Sequence, residues 1–195
     1  MTTPALRSIA QCDTAESALD SLCQWFFEDR LSAEGCEPVL AANLPSTFRD
    51  LLVHNEHMTR KLEAYHQSPM HLRVLHERTV GDIYSRNIEL VTDGDKVVEF
   101  GIVRINLEFT PKPVRAQILE KHDPLGDILI SNDVLRRIEP RWYMKFSTDS
   151  PLADHFEQHE GDMLAGRLGI IYCDNEPAIE LLEVVTDMRF GGNKS

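Results

Sequence analysis

The sequence predicts an α+β protein in which helices pack on one antiparallel β-sheet of about six strands. Apolar residues recur at helical spacing in the first third of the chain, whereas from Met70 onwards they mostly alternate with polar residues. The Asp93-Gly94 pair between two alternating runs is typical of a β-hairpin turn. Helical segments placed before and between such hairpins favour helices layered on an antiparallel sheet.

The helices are predicted from capping residues and apolar spacing. An N-terminal helix is expected over 13–30, where Asp13 and Glu16 have capping-box spacing. Residues 31–45 contain glycine, asparagine and two prolines and are predicted to be a loop. Residues 46–66 are predicted to be helical in two pieces.

Six strands are predicted in the rest of the chain, at 70–78, 83–91, 96–107, 133–146, 164–173 and 178–188. A helix is expected at 111–122, after the prolines that begin it, and a short helix at 150–159 with Ser150 as its N-cap. The fourth strand is expected to bend at Pro140. The segments together predict one domain over 1–195, with its core at 46–188 and a flexible tail at 190–195.

Composition excludes several classes of protein. With 195 residues, 42% hydrophobic and 27% charged, the chain can bury a core without a disulfide or metal. The net charge of −12 opposes nucleic-acid binding, so no nucleic-acid partner is expected. No apolar run approaches the roughly 20 residues that cross a bilayer, and no signal peptide is evident, so no membrane partner and a cytoplasmic location are expected. The four cysteines form no CxxC pair and are interpreted as reduced thiols.

Two charged residues fall on apolar strand faces. Because side chains alternate along a strand, Arg86 shares a face with Tyr84, Ile88 and Leu90. By the same alternation, Glu183 lies among Ile179, Leu181 and Val185. The pair could be a buried ion pair of the sheet core, or it could line a closed pocket for a small polar anion.

Other polar clusters are weaker candidates. His54 and His57 have the HxxH spacing of a metal site, but no further ligand follows at a suitable distance, and they are interpreted as a surface helix start. Three arginines divide between the faces of one strand and are interpreted as solvated, namely Arg136, Arg137 and Arg141. No metal site, phosphate loop or GxSxG motif is predicted.

The order of several segments resembles the chorismate pyruvate-lyase superfamily. The segments are HNEHMTRKLEAY at 54–65, Arg86 in YSRNIEL, the Asp-Gly turn, DPLGDIL at 123–129 and EPAIELLEV at 176–184. A run from LLVHNEHMTRKLE through FGIVRINL and DVLRRIE is similar to a divergent branch of that superfamily. The resemblance covers about residues 50–186.

The resemblance implies a six-stranded antiparallel sheet and a sealed pocket under two helix-containing flaps. It also implies a cofactor-independent reaction in which chorismate loses pyruvate to give 4-hydroxybenzoate, with Arg86 and Glu183 as catalytic residues. Arg86 matches the arginine that holds the substrate carboxylate, and Glu183 matches the glutamate near the ring oxygen. Met58 and Leu125 match residues whose backbone contacts the ligand.

Two departures from the family pattern leave alternatives open. The spacing from Pro177 to Glu183 is one residue longer than in the family, so either a β-bulge absorbs the extra residue or Glu180 takes the role. The family's second arginine has no clear match, and Arg104 lies two or three residues further along.

Three functions follow from these observations. The main expectation is a lyase acting on chorismate or a close enolpyruvyl ether. The alternative is a non-catalytic binding domain for a small aromatic carboxylic acid, because the same scaffold serves small-molecule sensing domains. A structural or partner-binding protein with an Arg86–Glu183 core ion pair is the third. The oligomeric state is left open.

Overall fold

The computed structural model describes residues 7–27, 35–157 and 162–190. Its helices are α1 (Ala15–Cys23), α2 (Ser46–Leu52), α3 (Met58–His66), α4 (Lys112–Glu120) and α5 (Leu125–Ser131). Its strands are β1 (Cys36–Val39), β2 (His71–Val80), β3 (Ile83–Val91), β4 (Val97–Asn106), β5 (Arg136–Phe146), β6 (Leu164–Cys173) and β7 (Glu176–Thr186). All seven strands form one antiparallel sheet in the order β1-β5-β6-β7-β4-β3-β2. The predicted α+β class is confirmed.

The two faces of the sheet are covered by different helices. On one face, α1 packs against Phe100, Ile102 and Leu182 in a buried apolar cluster. The opposite face carries two clusters, one under α2 and α3 and the other under α4 and α5. Because a slip of one residue would exchange the two faces, the strand register decides which side chains each set of helices covers.

The first helix is shorter than predicted. It begins after Thr14, whose side chain accepts a hydrogen bond from the amide of Ser17, so Thr14 rather than Asp13 is the cap. The helix ends at Cys23, and residues 28–30 of the predicted helix lie outside the described residues. The apolar spacing continues past Cys23 because Phe26 and Phe27 also pack on the core, although both lie beyond the end of the helix.

The seventh strand was not predicted. Residues 36–39 were expected to be loop, but they pair with the end of β5 at the edge of the sheet. Pro38 tolerates this position, because an edge strand leaves amide groups unpaired on its outer side. Four residues are too few for alternation to be recognised in the sequence.

Register shifts interrupt four of the strand pairings in the sheet, and two of them bear on the sequence predictions. In β5 the shift falls between Pro140 and Trp142, where a bend was predicted. In β7 the partner of Tyr172 is Pro177 and the partner of Ile171 is Ile179, so Ala178 is the extra residue. A bulge therefore lies between Pro177 and Glu183, as the longer spacing predicted.

The remaining differences are local. The two-part helix at 46–66 and the helix at 111–122 are present as α2, α3 and α4, but α5 was not predicted as a helix. Ser150 caps the short helix as predicted, although that helix is a 3₁₀ turn at Pro151–His155. Residues 191–195 of the predicted tail lie outside the described residues, whereas Phe190 stacks on His66. In the part of the chain that the structure describes, no helix is long and apolar enough to span a membrane.

Candidate functional site

A cavity lies between the sheet and the first residues of α3 and α5. It lies where the two apolar clusters of that face meet, and its volume is about 60 Å³. Four predicted site residues line it, namely Met58, Arg86, Leu125 and Glu183. The strands contribute its floor, and Met58 and Leu125 contribute its rim because each is the first residue of its helix.

Arg86 is a buried cation with few partners. It lies in β3 between Glu77 of β2 and Val103 of β4, and the residue is 1% exposed. One guanidinium nitrogen, NH1, donates to the carbonyl oxygen of Ile118 at 3.5 Å, and Nε is buried without a hydrogen-bond partner. Burial lowers the pKa of Arg86, which is the sign of a charge held away from water.

Glu183 does not form the ion pair with Arg86 that the sequence suggested. Its carboxylate accepts from Nε of Arg167 at 2.5 Å, and Arg167 faces it from β6. The same guanidinium donates to backbone carbonyl oxygens in the segment before α3, those of Leu52, His54 and Glu56. Arg167 therefore neutralises Glu183 and fixes the segment that leads into α3.

Glu99 is a second buried carboxyl group in the cavity wall. It lies in β4 two residues before Gly101, is 4% exposed, and its Oε2 has no hydrogen-bond partner. Burial and the nearby charge of Glu183 raise the pKa of Glu99 well above its usual range. The raised pKa favours the protonated form of the Glu99 carboxyl group, whose O–H can donate a hydrogen bond.

His57 is the N-cap residue of α3, so the HxxH segment begins a helix as predicted, but the residue is half-buried rather than at the surface. It lines the cavity, and its Nε2 accepts from Nε of Arg136 at 2.7 Å. Burial and the charge of Arg136 lower the pKa of His57 to about 4, so the ring is neutral. A Cβ at Gly126 would lie 2.9 Å from the His57 side chain, so the glycine allows α5 to approach α3 closely.

The second-choice residues lie on the other face of the sheet. Nε of Arg104 donates to Oε2 of Glu180 at 2.6 Å, and both side chains are covered by α1 and the segment before it. Neither residue lines the cavity. The geometry thus brings Arg86 and Glu183 to one cavity and places Glu180 and Arg104 outside it.

Sequence reasoning missed Arg167 and Glu99. Both could have been found by alternation, because Arg167 shares a face with Ala165, Gly169 and Ile171 in β6. In β4, Glu99 shares a face with Gly101 and Val103 by the same rule. Among the described residues, no group of three or more histidine, cysteine, aspartate or glutamate side chains could hold a metal ion.

Comparison with known proteins gives likeness of fold only. No protein-family model matches the chain, and no curated protein matches its sequence. PhnF from Mycobacterium smegmatis is similar with a TM-score of 0.46 and 10% identity, over 67% of this chain and 63% of that one. The chain thus spans less than two thirds of the length of PhnF.

Two further structures are similar to this chain. The C-terminal domain of the histidine utilization repressor from Pseudomonas syringae pv. tomato has a TM-score of 0.42 and 8% identity, over 65% of this chain and 99% of that one. The possible transcriptional regulator YydK from Bacillus subtilis has a TM-score of 0.44 and 10% identity, over 97% of this chain and 89% of that one.

The prediction of an enzyme is wrong. Three of the similar structures are named as an effector domain, a repressor domain and a possible transcriptional regulator, and none of the three is named as a lyase. The expected catalytic carboxylate of Glu183 is held by Arg167 and, among the described residues, makes no ion pair with Arg86.

Proposed function

We propose that this chain is a non-catalytic binding domain for a small aromatic carboxylic acid. The observation that carries the proposal is Arg86, a buried guanidinium in a cavity wall whose Nε has no partner.

The energetics of Arg86 favour an anionic ligand. Tyr84 and the charge of Glu77 interact with the guanidinium, but its buried Nε has no hydrogen-bond partner. A ligand carboxylate would supply that partner and offset the cost of burying the charge. The planar guanidinium can donate two parallel hydrogen bonds to a carboxylate, which a lysine could not reproduce. Since the protein carries a net charge of −12, an anion needs such a local cation to be retained.

The rest of the wall suits a compact apolar body. Ile88 and Leu90 of β3, Val103 of β4 and Leu181 of β7 line the cavity beside Arg86. Aliphatic walls around a few fixed polar groups are typical of small-molecule sites. The cavity of about 60 Å³ is smaller than the roughly 150 Å³ that holds a benzene molecule, so an acid the size of benzoate requires α3 and α5 to move apart.

A calorimetric titration compares benzoate and 4-hydroxybenzoate with benzamide, which has nearly the same shape and no charge. We expect both acids to bind and the amide not to bind. Arg86→Met should abolish acid binding, whereas Arg115→Met, an exposed arginine on α4, should leave it unchanged. A ligand present at 100 times its Kd should also add about 2.7 kcal/mol to the unfolding free energy.

Two results would contradict the proposal. Equal affinities for the acids and the amide would show that no cation of the protein binds the carboxylate. Retained acid binding in a folded Arg86→Met protein would place the anion site elsewhere.

A further inference from the structure

We propose that Glu99 is the second recognition group of this cavity and donates a hydrogen bond from its carboxyl O–H to an oxygen on the ligand. The ligand class is then hydroxy- or oxo-substituted carboxylic acids rather than plain acids. This inference rests on the proposed function and narrows its ligand.

The first support is an unused polar atom inside the cavity wall. Glu99 is 4% exposed, lines the cavity, and leaves Oε2 buried without a partner. Buried polar atoms are almost always satisfied, so an orphaned one in a cavity wall indicates a missing partner. A ligand oxygen would supply that partner.

The second support is the division of roles between the two carboxyl groups. Glu183 is engaged by the Arg167 guanidinium at 2.5 Å. Glu99 makes no ion pair with any described residue, and its raised pKa keeps the proton on its carboxyl group. A neutral carboxylic acid donates to a hydroxyl or carbonyl oxygen but does not attract a second cation.

The third support is the placement of the two groups along the sheet. Arg86 pairs with Val103, and Glu99 lies four residues from Val103 on the same face of β4. Four strand residues span about 13 Å of backbone, and Gly101 lies halfway along this span. A Cβ at Gly101 would approach Ile88 Cδ1 to 3.1 Å and Glu99 Oε1 to 3.3 Å. The glycine therefore leaves room for the Glu99 carboxyl group to lie over it, towards the position of Arg86.

The experiment measures Kd for benzoate, 3-hydroxybenzoate and 4-hydroxybenzoate by calorimetry. The proteins are the unmodified chain, Glu99→Leu, Glu99→Gln and the exposed control Glu108→Gln. We expect the better hydroxybenzoate to bind the unmodified chain about tenfold or more tightly than benzoate. Glu99→Leu should remove this preference and keep benzoate binding. Glu99→Gln should retain part of it, because its amide can donate, and Glu108→Gln should retain all of it.

Each remaining outcome decides between the two proposals. Equal affinity for all three acids in the unmodified chain would overturn the role of Glu99 and leave the carboxylate site of Arg86 intact. An unchanged preference in Glu99→Leu would do the same. No binding of any acid would overturn both proposals. If Glu99→Leu fails to fold, the preference measured in the unmodified chain still decides.

Discussion

Arg104 and Arg86 lie on neighbouring strands and opposite faces of the sheet, and both are buried. Arg104 pairs with Glu180 and donates to the backbone carbonyl oxygens of Ser21 and Arg7 at 2.9 and 2.8 Å. Arg86 donates to one carbonyl oxygen at 3.5 Å, interacts with Tyr84, and leaves its Nε without a hydrogen-bond partner. Arg104 therefore uses its donors within the protein, whereas in the proposed function Arg86 keeps Nε for a ligand carboxylate.

The contrast shows how burial alone fails to distinguish a structural charge from a binding one. Both residues are at most 6% exposed. The two residues differ in the number of guanidinium N–H groups that already donate hydrogen bonds within the protein. A guanidinium whose N–H groups are all engaged has no donor free for a ligand. The predictions below test this difference.

The largest effect is expected from Arg104→Met. It leaves Glu180 buried without its cation, and breaking such a pair costs about 3–5 kcal/mol of unfolding free energy. Urea unfolding measures the loss. Acid binding by the folded fraction should be unchanged, and a loss smaller than that of an exposed arginine variant such as Arg115→Met would contradict the structural role.

Arg86→Met should act in the opposite direction on the ligand-free protein. Replacing a poorly compensated buried charge with an apolar side chain should raise the unfolding free energy by about 1–4 kcal/mol. The same urea experiment measures it. A destabilisation as large as that of Arg104→Met would mean that Arg86 is a structural residue after all.

Gly101→Ala should weaken acid binding by about tenfold, because one added methyl group occupies the cavity floor. Its effect on stability should be small, since its nearest neighbours are the ends of the Ile88 and Glu99 side chains. Gly94→Ala is the matched control, because the nearest atom to a Cβ there is 3.7 Å away. Equal affinities of the two variants would show that the ligand does not lie over Gly101.

The smallest effect is a change in the pH dependence of stability. Burial lowers the pKa of His54, His57 and His66 to about 4 each. As the pH falls, the unfolded chain therefore binds protons at these residues at a higher pH than the folded chain does. Stability from these groups is therefore complete above about pH 6.5 and is lost as the pH falls towards 4.

His66→Asn keeps an acceptor for the amide of Phe190 and should reduce this slope by less than about one proton. Urea unfolding at several pH values measures the slope, with His76→Asn at an exposed position as control. A slope that His66→Asn leaves unchanged would show that His66 does not contribute.

The strand core was predictable from the sequence because alternation leaves a strong signal. Arg86 and Glu183 stood out as charges on apolar faces, and the sheet brings both to one cavity. Arg167 and Glu99 are also charges on apolar strand faces, but they were missed. Nearly all the other residues of their strands are apolar on both faces, so no alternation marked out the two charges. Alternation also could not show that Arg167, rather than Arg86, faces Glu183.

The covering segments were less predictable because their positions depend on contacts distant in sequence. His57 reads as a solvated residue until Arg136 and Gly126 are brought beside it. Strand β1 forms because it pairs with β5 at the edge of the sheet. Its four residues carry no sequence pattern that would predict this pairing. Helix α5 begins after Pro124 and has only seven residues, so its apolar spacing was too short to recognise.

The meeting of α3 and α5 over the cavity bears on the speed of exchange. The exposed pair between Arg60 and Asp127, at 3.5 Å, joins the two helices near their first turns. Such a pair contributes at most about 1 kcal/mol and weakens as salt screens it. If the cavity binds an acid as proposed, parting the two helices would set the rates of ligand entry and exit, and the polar groups beneath would set the affinity. High salt would then shorten the time needed to exchange a bound acid without changing which acid binds best.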